Sequence, residues 1–445
     1  MMKAPFALLA IAAMVLPPLL SQEPANPPEA ATPMDPFVKE KGGIASAKKA
    51  KTEEEHINVG ILFQHIDVKR ERWRDWLSQH SVPLDAGPLR QEVEGWIAAG
   101  DATLAETSLV MGRSGQRSKV ESVREIHYPH EYNLPQDGGM QHGTALEPYT
   151  LGTTTEVDPV LELDGSVAAS TAPGRSAYAG EAPVHAEAGV EEGDVRWPRF
   201  VEQRVIGDTT FGVGEWSLLG GTSSLERPDT HLTLLFARSI LHRFVEKAAP
   251  PSARGEGIVT LRWLEIPHAD LNTGLMAKGD LSDWIGGDLF RQSLDAGAKP
   301  VEERSIRFRS GNRHLVSTAE NRRYPFEFIP SANRGELSRP LSIKPLQFGT
   351  TVEVDPVFNE RGTLLDLGMM PEIVAPFGKT VHHRILVNGV WQPNSTTPVV
   401  YRMKASTGIV LPLNTPVLVA IMSPPDEKGW TDPSRKVLLF VEVSR

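Results

Sequence analysis

Gly152-Thr153-Thr154-Thr155-Glu156-Val157-Asp158-Pro159-Val160 returns about two hundred residues later as Gly349-Thr350-Thr351-Val352-Glu353-Val354-Asp355-Pro356-Val357, changed only at its fourth position. Thr and Val dominate both copies, and such residues suit a pleated, half-buried strand. Side chains alternate along a strand, so Thr154, Glu156 and Asp158 share one face while Thr155 and Val157 share the other. Asp158-Pro159 predicts a stop, because proline removes a ladder donor. Asp164-Gly165 after the first copy and Arg361-Gly362 after the second supply turns. The stretch therefore predicts a hairpin, present twice.

Landmarks on either side repeat in the same order. Arg113-Ser114-Gly115-Gln116-Arg117 is matched by Arg309-Ser310-Gly311-Asn312-Arg313, and Tyr128-Pro129-His130-Glu131 by Tyr324-Pro325-Phe326-Glu327. Apolar runs at 57–63 and 258–264 predict buried first strands. Trp73, Trp76 and Leu77 lie at helical spacing over 71–80; Val93, Trp96 and Ile97 do so over 89–99, with Gly100 placed to end that helix. The helical place in the second half is 283–296. Strands at 216–219 and 230–238 correspond to 417–420 and 436–443. Shared order over this length predicts a tandem duplication. The fold class is α+β and β-rich, two tandem units of mostly antiparallel strands with short helices near each start. The expected organisation is a signal peptide at 1–21, a flexible linker at 22–55, repeat 1 at 56–247, a linker at 248–256 and repeat 2 at 257–445. The polar, Gly-rich stretches following Tyr128-Pro129, up to about residue 150, and over 172–194 read as loops.

With 445 residues and 40% hydrophobic content, the chain is long enough to bury a core without staples. It has no cysteine, which removes disulfides, thiol nucleophiles and Cys-ligated metal. A formal net charge of -10 argues against binding nucleic acid through phosphates. Lys3 followed by the apolar run 5–20 reads as a secretory signal peptide, with Pro17 and Pro18 opposing a spanning helix. The Lys-rich piece Lys48-Lys49-Ala50-Lys51 reads as solvated linker.

Chemical candidates are weighed by whether both copies keep them. Glu156 with Asp158, and Glu353 with Asp355, could be acid–base pairs, but a strand face paired to Arg117, Arg313 or Arg323 explains them as well. His127, His130 and His142 suggest metal only by proximity, and the second copy has Arg323 and Phe326 at the first two places. His382-His383 would point apart on a strand. Ser114 and Ser310 sit in turns outside any Gly-x-Ser-x-Gly context. No phosphate-binding loop, dinucleotide fingerprint or His-Glu-x-x-His occurs. Trp73, Trp76 and Trp96 read as core anchors. No catalytic, cofactor-binding or metal-ligating residue is expected.

The combination of an Arg-Ser-Gly turn, a Tyr-Pro segment, a Glu-Val-Asp-Pro-Val strand, the apolar strand after Gly362 and the closing Leu438-Leu439-Phe440-Val441 resembles the C-terminal domain of bacterial secretins. These are the ring-forming proteins of type II and III secretion and type IV pili. The resemblance covers roughly 103–238 and 306–445. The family's Gly-Gly-Leu segment is only approximated by Leu218-Leu219-Gly220-Gly221, and neither 172–194 nor 377–395 reads as a membrane-inserting lip. The resemblance implies a non-enzymatic, exported scaffold or accessory component of an envelope assembly, in the periplasm or at the outer-membrane periphery. Its partners would be secretion-system proteins or further copies of itself, with membrane association through partners. The alternative is a stand-alone periplasmic binding protein built on the same unit.

Overall fold

A computed structural model describes residues 55–133, 142–183, 196–246, 255–329 and 337–445. The proposed signal peptide, the Lys-rich piece and most of both linkers lie outside the described residues. The first repeat runs β1 (Glu55–Lys69), α1 (Arg70–Gln79), α2 (Gly87–Ala99), β2 (Ala102–Arg113), β3 (Ser118–Asn133), β4 (His142–Leu161), β5 (Val167–Thr171), β6 (Gly174–Pro183), β7 (Arg196–Arg204), β8 (Gly207–Phe211), β9 (Trp216–Ser223) and β10 (His231–Val245). The second runs β11 (Glu256–Pro267), α3 (His268–Ala277), a π-helical turn (Trp284–Asp288), α4 (Leu289–Asp295), β12 (Lys299–Arg309), β13 (His314–Ser317), β14 (Glu320–Ile329), β15 (Arg339–Phe358), β16 (Leu364–Val387), β17 (Val390–Pro412), β18 (Val417–Met422) and β19 (Arg435–Ser444). The protein is β-rich with few, short helices.

Two sheets carry the fold. The eight-stranded sheet has the order β12-β11-β19-β18-β2-β1-β10-β9, and the eleven-stranded one follows β13-β15-β16-β17-β3-β4-β5-β8. Each sheet is one run from repeat 2 followed by the equivalent run from repeat 1. The joints are antiparallel: Ala420↔Val110 and Ile421↔Leu109 in the first sheet, Val400↔Glu125 through Ser406↔Lys119 in the second. In the second sheet β14 pairs with β15 and reaches back to β4 at Glu327↔Ala145. β15, β16, β17, β3, β4 and β14 thus form a closed circuit of strands. The central strands β1, β10, β11, β18 and β19 are buried along most of their length, as near-continuous apolar runs such as Val417 to Met422 require.

The repeats agree down to their irregularities. The β1–β2 ladder slips between His65 and Ile66, and β11–β12 slips between Trp263 and Leu264, at the equivalent place. The β9–β10 and β18–β19 ladders slip beside Phe236 and Phe440. Gly152 and Gly349, which open the repeated stretch, have φ of 129° and 127°. A side chain at Gly152 would lie 2.3 Å from the Ser122 carbonyl oxygen, and one at Gly349 would lie 2.8 Å from that of Thr318.

The repeated stretch does form a hairpin, β4 turning at Asp164-Gly165 into β5. Several expectations need correction. Pro159 does not stop β4, which continues to Leu161. β3 begins at Ser118 opposite Val157, so Pro159 lies beyond that ladder and no donor is missed there. Pro129 does not end β3 either; the ladder shifts register just after it and continues to Asn133. Pro325 sits at the equivalent shift in β14. The expected loop before residue 150 is already strand from His142, and the expected loop at 172–194 contains β6. Residues 377–395 belong to the β16–β17 hairpin, turning at Asn388-Gly389. α3 was not anticipated, and the helical place at 283–296 is broken by a kink at Gly286-Gly287, where Gly287 has a φ of 129°, before it runs into α4.

Candidate functional site

The structure disperses the candidates drawn from sequence. Glu156 pairs with Arg117, while Arg313 contacts Glu353 at 2.8 Å and Asp355 at 2.9 Å, so these carboxylates are counter-ions on strand faces. Ser114 Oγ accepts the Leu161 N–H at 2.9 Å, and Ser310 Oγ accepts the Phe358 N–H at 2.9 Å, the same turn-closing role twice. Trp73 and Trp76 stack at 5.2 Å, and Trp96 is buried in the core. His130 is exposed, but His127 is buried 4.6 Å from Phe326, where the circuit of strands closes. His382 accompanies Thr397 at 2.6 Å, and burial lowers both histidines to about 4, so they are neutral near pH 7. His142 and His383 have side chains outside the described set. Among the described residues no three His, Asp or Glu side chains gather as a metal-holding group.

A different cluster lies at the joint between repeats. Glu106 of β2 is 2% exposed and meets Lys436 of β19, which is fully buried. Lys436 also donates to Ser423 Oγ at 2.5 Å, just beyond β18. Ser423 donates to the Glu106 carboxylate at 2.8 Å, Thr153 donates to it at 3.2 Å, and the Thr107 N–H at 3.0 Å. Burial pushes the Glu106 carboxyl up, but Lys436, with Arg175 and His268, outweighs it and holds the group at about 2. Burial lowers Lys436 while Glu106 opposes the fall. A Ser–Lys pair at this distance invites comparison with a nucleophile and its base. The chemistry does not follow: Ser423 is fully buried, and Lys436 is salt-bridged to an ionised carboxylate and has no free lone pair.

Beside this network opens a cleft of about 330 Å³ lined by β2, β3, β4, β6 and the connections before β10 and β19. Arg124, Arg175, Tyr178 and Trp430 line it, with Leu151 and Leu225 among its apolar walls. Arg124 lies over the Trp430 ring at 4.0 Å and donates to the Lys428 carbonyl at 2.6 Å. Arg175 donates to Glu226 at 3.2 Å, and its side chain is 11% exposed. Sequence reasoning did not single out these residues, because they converge only through the pairing of β3, β4 and β6. One signal was present. By ladder register the second repeat carries Glu320 where the first has Arg124, and Ile373 where the first has Arg175. No protein-family model matches the chain, and no curated protein matches it.

Proposed function

We propose that this chain is a non-enzymatic, exported scaffold or accessory component of a type II secretion or type IV pilus-like envelope assembly, built by edge-to-edge addition of copies. The observation that carries this reading is the direction of the internal joint. The repeats meet head to tail: in each sheet the end of the repeat 2 run pairs with the start of the repeat 1 run, β18 with β2 and β17 with β3. The opposite edges, β13 of repeat 2 and β8 of repeat 1, end the second sheet. A heterologous contact of this kind propagates into a ring or a filament.

The exposed apolar residues agree with that geometry. Ser406↔Lys119 in the internal joint corresponds, by ladder register, to Ile206 and Leu315 on the two outer edges. Ile206 is 68% exposed and Leu315 is 64% exposed, and a second copy added in the same register sets them opposite each other. Unpaired edges offer the backbone donors and acceptors for such addition. The proposal is confined to this sheet, because β12 at the edge of the other carries Lys299, Pro300 and Glu303, residues that discourage pairing. The resemblance to secretins supplies the envelope context.

Light scattering and electron microscopy of the full chain test the assembly. Concentration-dependent rings or filaments are expected. Leu315→Lys or Ile206→Glu alone should abolish them, and the two together should restore them. A monomer at every concentration reached, or assembly indifferent to both substitutions, overturns the reading. Co-purification from the source cells tests the envelope context, with secretion-system proteins as the expected partners. A second reading, a stand-alone periplasmic binding protein, draws support from the cleft at the joint.

A further inference from the structure

We propose that the cleft between the repeats binds a small organic carboxylate, with Arg175 and Arg124 holding the carboxylate and Trp430, Leu151 and Leu225 enclosing an apolar or aromatic body. The inference gives the second reading its ligand class and holds whether or not the chain assembles. Arg175 Nη1 and Arg124 Nε are buried and donate to no protein atom among the described residues. Buried donors in native proteins are nearly always satisfied, so an unpaired guanidinium N–H in each of two residues lining one cleft points to a missing acceptor.

The strand architecture does not require these arginines. The equivalent positions in repeat 2 are Glu320 and Ile373, in strands of the same register. Glu320 pairs with Arg322 at 2.7 Å, on its own strand. The cationic character is therefore peculiar to the joint.

The neighbouring acids leave that character in place. Glu106 lines the cleft and interacts electrostatically with Arg175, but its hydrogen bonds come from Lys436, Ser423, Thr153 and the Thr107 N–H, and none comes from either arginine. Glu226 is 58% exposed and meets Arg175 only through Nη2. Asp426 acts on Arg124 electrostatically. A forked guanidinium suits a planar carboxylate better than a point charge does. At about 330 Å³ the cleft falls at the small end of ligand pockets, which span ~300–1,000 Å³. That size admits a small acid or the terminal residue of a peptide, and excludes a long chain.

Calorimetric titration of the full chain with benzoate, inorganic phosphate, and acetyl-alanyl-phenylalanine in free-acid and amidated forms tests the assignment at constant ionic strength. Binding of benzoate or the free-acid peptide, or both, is expected, and the tighter of the two identifies a free acid or a peptide terminus as the source. Arg175→Ile, which installs the residue repeat 2 carries, should weaken that binding at least about tenfold, the loss of one charge-assisted hydrogen bond. Arg175→Lys keeps the charge, loses the fork and should also weaken it, which covers the case in which the isoleucine variant does not fold. Equal binding of phosphate and carboxylates, equal binding of the amide and the acid, no binding at all, or undiminished affinity in either folded variant overturns the proposal.

Discussion

Glu106 and Lys436 come from different repeats and are buried together, and a buried charge is tolerated only when it is paired. Lys436 occupies the place of Leu232 in β10, so the strand position itself calls for an apolar residue. Glu302, the counterpart of Glu106, lies in the edge strand β12 and is answered by Arg304 of that same strand at 2.5 Å. Thr350 donates to it at 2.9 Å, as Thr153 does to Glu106. The acid and its threonine thus belong to the repeat, and only the cation changes with the neighbour. Glu106→Gln leaves the Lys436 ammonium without its counter-ion and is expected to lower the unfolding free energy by about 3–5 kcal/mol. Adding Lys436→Leu should recover most of that loss, because replacing a whole buried pair by apolar groups is often close to neutral. Urea midpoints of the single and double variants decide it: equal midpoints would show that the two residues are not coupled.

At the level of elements, the first residue of the repeated stretch, midway along β4 and β15, is under a backbone constraint. Gly152 combines a φ of 129° with the closest carbonyl approach of the two repeat-opening glycines. Gly115, in the Arg113 turn, has a φ of 74° but open space around it. Gly115→Ala is expected to cost about 1–2 kcal/mol from the left-handed backbone alone. Gly152→Ala should cost more, since the new methyl also meets the Ser122 carbonyl; a smaller loss than for Gly115→Ala would refute the close approach. The repeated stretch, its turns and the order of landmarks were legible because local chemistry fixes them: Asp-Gly and Arg-Gly turns, β-branched alternation, and Gly100 closing α2 with a φ of 77°. The prolines misled because their effect depends on which ladder lies alongside, and Pro159 has β5 beside it but not β3. β6 was missed for a related reason. Its residues Gly174, Ser176 and Gly180 carry no strand signal, and it is ordered by pairing with β4 and β7. Phe200 of β7 stacks on Tyr149 of β4 at 3.8 Å, securing that pairing from outside the segment. The cleft was illegible for the same cause on a longer scale, since Trp430 reaches Arg124 from some three hundred positions away.

Across the whole molecule, the two halves are bound too closely to melt apart. Both sheets cross the joint. Asn58 of β1 exchanges hydrogen bonds with the backbone of Val410 in β17, at 2.8 and 2.9 Å. Arg90 of α2, fully buried, donates to Gln64 at 2.8 Å and to Asn272 of α3 at 3.0 Å. Separating the halves would strip these groups of partners together with the Glu106–Lys436 pair, so urea should unfold the chain in one transition. The same core makes that transition acid-sensitive. Burial lowers His65 to about 3 and His242, His268 and His382 to about 4, all from an ordinary 6.5. Between those values the unfolded chain binds protons that the native one refuses. The stability is therefore complete above about pH 6.5 and is lost as pH falls towards 4, by up to ~1.4 kcal/mol per pH unit for each histidine. Glu106, ionised down to about 2 in the native state, extends the loss in the same direction below its ordinary 4.5. Urea titrations at pH 7 and pH 5, followed by tryptophan fluorescence and circular dichroism, should give coincident single transitions whose midpoint drops sharply at the lower pH. Two separated transitions would mean the repeats melt independently, and an unmoved midpoint would mean the buried histidines are not held neutral by the fold.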